Sequence, residues 1–169
     1  LVQADGKSRA YGQTNPVLTA TMSGFVNGEN ATALGGTLVL STTADTNSPL
    51  GTYAIDASGL TSTNYAITFS NGTLTVTAHA LTVTADSHSR VYGATNPVLT
   101  GTLVGLQEGD NITASYSTPA DTNSPVGNYP IMPVLSDPEG KLGNYAVTTN
   151  NGTLTVTAVP LLVQADDKS

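Results

Sequence analysis

The chain is one unit written twice, and this repetition limits its fold more than any other feature. Ser8-Arg9-Ala10-Tyr11-Gly12 returns as Ser89-Arg90-Val91-Tyr92-Gly93, and Thr14-Asn15-Pro16-Val17-Leu18-Thr19 returns unchanged at residues 95–100, both offset by 81. Residues 44–49 return at 120–125 with an offset of 76, and residues 71–78 return at 151–158 with an offset of 80. The drift in offset means that the second copy loses five residues between Asn111 and Ala120 and gains four between Tyr129 and Asn144. Insertions and deletions of this kind fall in surface loops. Leu162-Val163-Gln164-Ala165-Asp166 then matches Leu1-Val2-Gln3-Ala4-Asp5, which reads as the opening of a third copy. The expected organisation is a repeat module at 1–80, a second at 81–160, and the first strand of a truncated third module at 161–169. A fixed period of this length marks an array, in which each period is one structural unit.

An 80-residue unit buries only about two thirds of its unfolded surface, so its core is thin and has no room for a deep cofactor site. The links are short, His79-Ala80 and then Val159-Pro160. Two-residue links between strands leave little freedom to bend, and the expectation is a stiff rod.

Within a unit, strict alternation dominates. Leu74, Val76 and Ala78 face one way and Thr73, Thr75 and Thr77 the other, which is the pattern of a half-buried strand. Leu81, Val83 and Ala85 alternate likewise with Thr82, Thr84 and Asp86. Tyr65, Ile67 and Phe69 alternate ahead of Asn71-Gly72, and Tyr145 and Val147 ahead of Asn151-Gly152, so each Asn-Gly predicts a hairpin. Asn15-Pro16 and Asn96-Pro97 punctuate the chain before short strands expected at 17–21 and 98–103. Ser48-Pro49-Leu50-Gly51-Thr52-Tyr53-Ala54-Ile55 and Ser124-Pro125-Val126-Gly127-Asn128-Tyr129-Pro130-Ile131 each read as a turn feeding a strand. The one helix candidate is the run Glu29-Asn30-Ala31-Thr32-Ala33-Leu34, with Asn30 as its cap. The second copy loses residues there, so the core does not depend on it. The fold class is mainly β: two tandem β-rich domains in an elongated array.

Composition narrows the function classes. The chain has no Cys, which excludes disulfides and Cys-based zinc or redox sites. Five Lys and Arg, scattered along 169 residues of net charge −7, make no basic surface for nucleic acid. No apolar run approaches the roughly 18 residues of a membrane span, so no membrane insertion is expected in this stretch. Leu1 opens directly into strand-like sequence without a leader-like run, and the expectation is a piece of something longer. The 28 Thr suit the wet face of a sheet. An acidic, Thr-rich, Cys-free chain fits a secreted or surface protein of bacteria.

The tyrosines recur in register as Tyr11/Tyr92, Tyr53/Tyr129 and Tyr65/Tyr145. The favoured reading is core or strand-end packing, with each hydroxyl reaching a partner. The alternative is a platform of exposed rings for stacking sugars. Tyr11-Gly12, Asn15-Pro16, Ser23-Gly24-Phe25-Val26-Asn27-Gly28, Gly51-Thr52-Tyr53, Asn64-Tyr65 and Asn71-Gly72-Thr73-Leu74 form one ordered set of motifs. Tyr92-Gly93, Asn96-Pro97, Gly105-Leu106, Gly127-Asn128-Tyr129, Asn144-Tyr145 and Asn151-Gly152-Thr153-Leu154 form the second. Together they resemble the MBG repeat of the Tyr-Gly-X type, over nearly the whole chain and twice over. The resemblance implies a β-grasp-like fold and membership of long arrays in large bacterial surface and haemagglutinin-like adhesin proteins, with no catalytic residues to carry across. An immunoglobulin-like β-sandwich is the alternative, because Gly-x-Tyr-x-Ile after a proline turn also suits the penultimate strand of that fold.

No catalytic constellation is legible. Nucleophilic hydrolysis needs a His oriented by a carboxylate beside a Ser or Cys. His79 falls in a link. His88 has Lys7 as its counterpart, which reads as a solvated loop charge. Asp45 and Asp121 recur within Ala-Asp-Thr-Asn-Ser-Pro and are the candidates for calcium, through Asp and Asn oxygens with backbone carbonyls. Each motif has one carboxylate, so the favoured reading is a turn in which Asp and Asn bond their own backbone. No cofactor is expected. An isopeptide crosslink would need equivalent lysines, yet Lys7 and Lys141 occupy different places in the two copies.

The expected function is a non-catalytic stalk or spacer repeat of a large bacterial cell-surface adhesin, located outside the cell and projecting a distal binding region. Its partners would be neighbouring repeat modules of the same chain. The alternative is a binding module for a host glycan or matrix protein, or homotypic association between cells or in a biofilm.

Overall fold

The computed structural model describes residues 1–165. Contact between segments divides the chain into two compact units. One is Leu1–His79 with Gly143–Ala146, and the other is Ala80–Leu142 with the chain from Val147 onward. Seven strands come from the first sequence copy: β1 (Val2–Ala4), β2 (Lys7–Ala10), β3 (Ala20–Met22), β4 (Gly35–Ser41), β5 (Gly51–Thr61), β6 (Phe69–Ser70) and β7 (Gly72–Thr77). Seven equivalents follow: β8 (His79–Ala85), β9 (His88–Val91), β10 (Gly101–Val104), β11 (Thr113–Ser117), β12 (Gly127–Ser136), β13 (Tyr145–Asn150) and β14 (Gly152–Thr157).

Each copy builds two sheets. The orders are β3-β1-β6 and β2-β7-β5-β4 in the first, and β10-β8-β13 and β11-β12-β14-β9 in the second. The alternation read from sequence is the reason. Leu74 and Val76 point inward from β7 and are almost fully buried, while Thr73, Thr75 and Thr77 point outward. Val2 and Ala4 of the small sheet meet Ile55, Ala57 and Leu74 of the large sheet in one core, closed by Ala44. Ala85, Ala120, Ile131 and Leu154 repeat this in the second copy. Ile55, Leu74, Ile131 and Leu154 are 0% exposed, and each contributes about 1.5–3 kcal/mol by its burial.

Two sheets sharing one core make the β-sandwich alternative the architecture of each copy. A β-grasp needs a helix for its sheet to enclose. Among the described residues the helical elements are two 3₁₀ turns, Ala31–Ala33 and Leu142–Asn144. The first lies inside the expected helix, and Asn30 caps it as expected, its side chain accepting from the Thr32 N–H at 2.9 Å. The turn goes no further because Leu34 is already extended and Gly35 opens β4.

The expected hairpins at Asn71-Gly72 and Asn151-Gly152 are overturned. β6 pairs in parallel with β1, whereas β7 pairs with β2 and β5. The chain therefore turns a corner from one sheet to the other instead of reversing within a sheet. Neither Asn71 nor Gly72 has the positive φ that a type I′ turn demands. β1 and β2 make the same crossing at Asp5-Gly6, so the opening run of each copy serves both sheets.

Other boundaries shift by smaller amounts. The strands expected at 17–21 and 98–103 are β3 and β10. Val17 and Val98 stay outside them, 83% and 84% exposed. His79 is the first residue of β8, not part of a free link, and His88 opens β9, not a loop. Pro130 and Pro133 sit in β12, a strand with neighbours on both sides, but the pairing is staggered. Residues 127–131 pair with β14 and Met132 to Ser136 with β11, so neither proline interrupts two ladders at once. Residues 161–165 of the expected third-module strand form no strand, since no described segment pairs with them. The remainder, 166–169, lies outside the described residues.

Candidate functional site

The motif residues converge on a buried polar clamp, built identically in both copies. Arg9 ends near the close of β2 and is 7% exposed. Its Nε donates to Asn15 Oδ1 at 2.7 Å, one terminal nitrogen donates to the Ala10 carbonyl at 3.2 Å, and the other to the Asp45 carbonyl. Asn15 Nδ2 in turn donates to the Ala44 carbonyl at 2.6 Å. In the second copy Arg90, also 7% exposed, donates to Asn96 Oδ1 at 2.7 Å, to the Val91 carbonyl at 3.2 Å and to the Asp121 carbonyl, and Asn96 donates to the Ala120 carbonyl at 2.6 Å. A planar fork with five fixed donors suits a set of converging oxygens, and a buried guanidinium is tolerable only when so satisfied.

The clamp explains the spacing of the motifs. Arg-x-Tyr-Gly supplies the cation and a glycine with φ of 77° at Gly12 and 82° at Gly93, a conformation that a side chain disfavours. The Gly12 N–H reaches the Thr46 carbonyl at 3.2 Å. Asn-Pro supplies the bridging amide. Ala-Asp-Thr-Asn-Ser-Pro supplies the accepting carbonyls. Tyr53 and Tyr129 finish the turn by donating to the Pro49 and Pro125 carbonyls, each at 2.8 Å.

The calcium candidates serve the same turn. Asp45 Oδ1 accepts from the Asn47 N–H and the Ser48 hydroxyl, both at 3.0 Å, and Asp121 Oδ1 accepts from Asn123 at 2.9 Å and Ser124 at 3.1 Å. These are the bonds of a turn that closes on its own backbone. Among the described residues, no three His, Cys, Asp or Glu side chains gather where a metal could bind.

The remaining tyrosines differ in exposure. Tyr11 and Tyr145 are buried, at 2% and 7%. Tyr65 meets Phe25 edge to face with ring centroids 5.6 Å apart, and its hydroxyl donates to Glu29. That carboxylate holds the Tyr65 phenol above its ordinary range, against the smaller opposing pull of the Val26 N–H. Tyr92 stands apart, with a side chain that is 47% exposed.

His88 comes within 3.3 Å of the Thr100 hydroxyl through Nε2, and Thr100 Oγ1 donates to Asp86 at 2.6 Å. The threonine proton is thus given to the carboxylate, so the hydroxyl is not held for activation by the imidazole. Asp137 accepts the backbone N–H groups of Lys141 at 2.9 Å and Leu142 at 2.7 Å across the four-residue insertion. These bonds, Leu142 first, hold its carboxyl below the ordinary range, although burial acts the other way.

Sequence reasoning missed Arg9, Arg90, Asn15 and Asn96 as the organising residues. A signal was present: the only two arginines of the chain occupy equivalent places in the two copies, whereas Lys7 and Lys141 do not.

Comparison with known proteins agrees with the repetition. A search of curated proteins returned no match. Among solved structures, the fibronectin(III)-like modules of Clostridium thermocellum CbhA align over 99% of this chain and 100% of that one, at 16% identity and a TM-score of 0.34, too slight a likeness to define the fold. The family model described as the MBG domain of YGX type matches residues 1–75 and again 81–155. The chain therefore belongs to the MBG domain family, as two tandem copies whose Tyr-Gly motifs sit beside the arginine of the clamp.

Proposed function

We propose that the chain is a non-catalytic stalk segment of a large bacterial surface adhesin, built to carry tension between an anchored end and a distal binding region. The observation that carries this reading is the parallel pairing of a strand near the start of each copy with the last strand of that copy. β2 runs parallel to β7, with Lys7 opposite Leu74 and Ala10 opposite Thr77. β9 runs parallel to β14, with His88 opposite Leu154 and Val91 opposite Thr157. A pull on the start of β2 and the end of β7 loads that ladder along the strands, so its bonds resist together instead of opening one by one. The Tyr11 N–H to Thr77 carbonyl bond at 2.8 Å and the Tyr92 N–H to Thr157 carbonyl bond at 2.8 Å extend the ladders past the strand ends. The clamp fixes the arginine of β2 and β9 to the far turn, anchoring the loaded strand. Stalk work of this kind calls for no cofactor.

Single-molecule stretching from the two chain ends tests this. Two discrete unfolding peaks are expected, each releasing about 80 residues, roughly 27 nm of extended chain. A featureless extension at low force would remove the tension-bearing reading.

A second reading, a glycan-binding module, draws on the half-exposed ring of Tyr92. It requires saturable binding on a glycan array that Tyr92→Ala abolishes while the melting curve stays within about 0.5 kcal/mol of the parent, the ordinary range for a surface substitution. Under the stalk reading, the parent chain and Tyr92→Ala give the same blank array.

A further inference from the structure

The chain holds three Asn-Gly pairs, at 27–28, 71–72 and 151–152. The first is built unlike the others. Val26-Asn27-Gly28-Glu29 lies between β3 and β4, with φ of 55° at Asn27 and 72° at Gly28, the two positive values that a type I′ turn demands. The Glu29 N–H closes this turn on the Val26 carbonyl at 3.0 Å. That bond joins the last turn residue to the first, so the Gly28 N–H takes no part in it. Asn27 and Gly28 are exposed, and a Cβ placed on Gly28 would meet nothing within 4 Å. The equivalent pair in the second copy, Glu108-Gly109, is exposed as well with a whole copy ahead of it, so the open turn is a property of the repeat. Gly72 and Gly152, by contrast, are ladder residues, opposite Ile55 and Ile131. Asn71 Nδ2 donates to Asp56 Oδ1 at 2.7 Å, and the Asn71 carbonyl accepts from Gln3 at 2.9 Å. The backbones of Gly72 and Gly152 lie directly against the carbonyls of Ala4 and Ala85.

We infer that Asn27 is a site of spontaneous backbone modification, closing a cyclic imide with the Gly28 nitrogen, and that the fold withholds the same reaction from Asn71 and Asn151. The Gly28 nitrogen gives its proton to a base in solvent and attacks Asn27 Cγ. The new C–N bond closes the ring, the Cγ–Nδ2 bond breaks, and Nδ2 takes a proton from water and leaves as ammonia. Water then adds to either ring carbonyl and breaks its bond to the ring nitrogen, leaving aspartate or isoaspartate. The net exchange is ammonia for water, with no electron transferred and one negative charge gained. Glycine favours the step because it puts no side chain beside the attacking nitrogen. The attack also needs the peptide between the two residues to rotate, which an exposed turn allows. At 71 and 151 that rotation would pull Gly72 or Gly152 out of its ladder and into the crossing carbonyls. The product places an acid in the turn where the second copy already carries Glu108. Isoaspartate further lengthens the backbone between Val26 and Glu29. Both residues hold Tyr65, through the Val26 N–H at 3.3 Å and the Glu29 carboxylate, so their joint grip on the ring is lost.

Peptide mapping by mass spectrometry tests this after the folded chain has stood in warm, mildly alkaline buffer made with heavy-oxygen water. Residue 27 should convert roughly tenfold or more faster than residues 71 and 151, which react only through opening of their ladders. The product should carry solvent oxygen and contain isoaspartate as well as aspartate. In urea the three pairs, each followed by the same glycine, should convert at comparable rates. Gly28→Ala should slow conversion at 27 in the folded chain and in urea alike. Equal rates at the three positions in the folded chain, faster conversion at 71 or 151, aspartate without isoaspartate, or no conversion at 27 over the time that the unfolded chain needs would each overturn the inference.

Discussion

Arg9→Ala should cost the first unit about 3–4 kcal/mol and leave the second unit nearly untouched. The arginine is 7% exposed and ties three segments together: its own β2, the Asn-Pro segment through Asn15, and the turn before β5 through the Asp45 carbonyl. Truncation leaves Asn15 Oδ1 without a donor in a part-buried site and leaves the Asp45 carbonyl with the Ser48 N–H alone at 3.1 Å, and each charge-assisted bond lost costs about 1.5–3 kcal/mol. The loss is large against the whole, because a unit of about 80 residues has only about 4–12 kcal/mol of stability. In a domain of this size each kcal/mol moves the midpoint by about 4–8 °C, so a fall of about 15 °C or more is expected. Calorimetry should therefore show the first unit melting separately and early. Arg90→Ala should do the same to the second unit. Arg9→Lys should not rescue, since an ammonium cannot reach three acceptors as a planar fork does. An unchanged melting curve for Arg9→Ala would mean that the clamp contributes nothing to stability.

That clamp marks the limit of what the sequence made legible. Alternation located the buried faces: Leu74, Val76, Leu81, Val83 and Ala85 are all in the core. This worked because a half-buried strand must alternate, whatever sheet it joins. The same local rule could not say which sheet. Phe69 and Leu74 both belong to strands beside Asn71-Gly72, yet those strands lie in different sheets, and only long-range pairing with β1 and β2 distinguishes a corner from a hairpin. The turn reading of Asp45 and Asp121 was accessible because its bonds are local, within three residues. The arginine's role was not, because Arg9 and Asp45 are 36 residues apart and a cation on a strand reads as a solvent-facing charge. What repetition did reveal was that Arg9 and Arg90, Asn15 and Asn96, and the two Ala-Asp-Thr-Asn-Ser-Pro turns recur together, and the structure explains why they do.

Gly72→Ala separates the corner from the hairpin by energy. In a type I′ turn, glycine at this place relieves a positive φ, and alanine would cost about 1 kcal/mol. Gly72 has no such φ. Its requirement is closeness: a Cβ there would lie 2.6 Å from the Ala4 carbonyl oxygen and 2.7 Å from that of Asp5. Both contacts are backbone on backbone, where β1 crosses to β2 beside the crossing of β6 to β7, so no side chain can swing away. Either the two crossings separate or the core pair Val2 and Leu74 loses its packing. The expected cost is about 3 kcal/mol or more, the upper part of the range for forced overpacking. Gly152→Ala should do likewise in the second copy, where the Ala85 carbonyl oxygen would stand 2.8 Å from the new Cβ. Gly28→Ala is the control, because Gly28 has φ of 72° with nothing within 4 Å, so it measures the backbone term alone. Urea titration of the three variants should place Gly72→Ala and Gly152→Ala well below Gly28→Ala. Equal losses of about 1 kcal/mol in all three would mean that the two crossings do not approach closely, and that the two-sheet corner is not what Asn-Gly builds here.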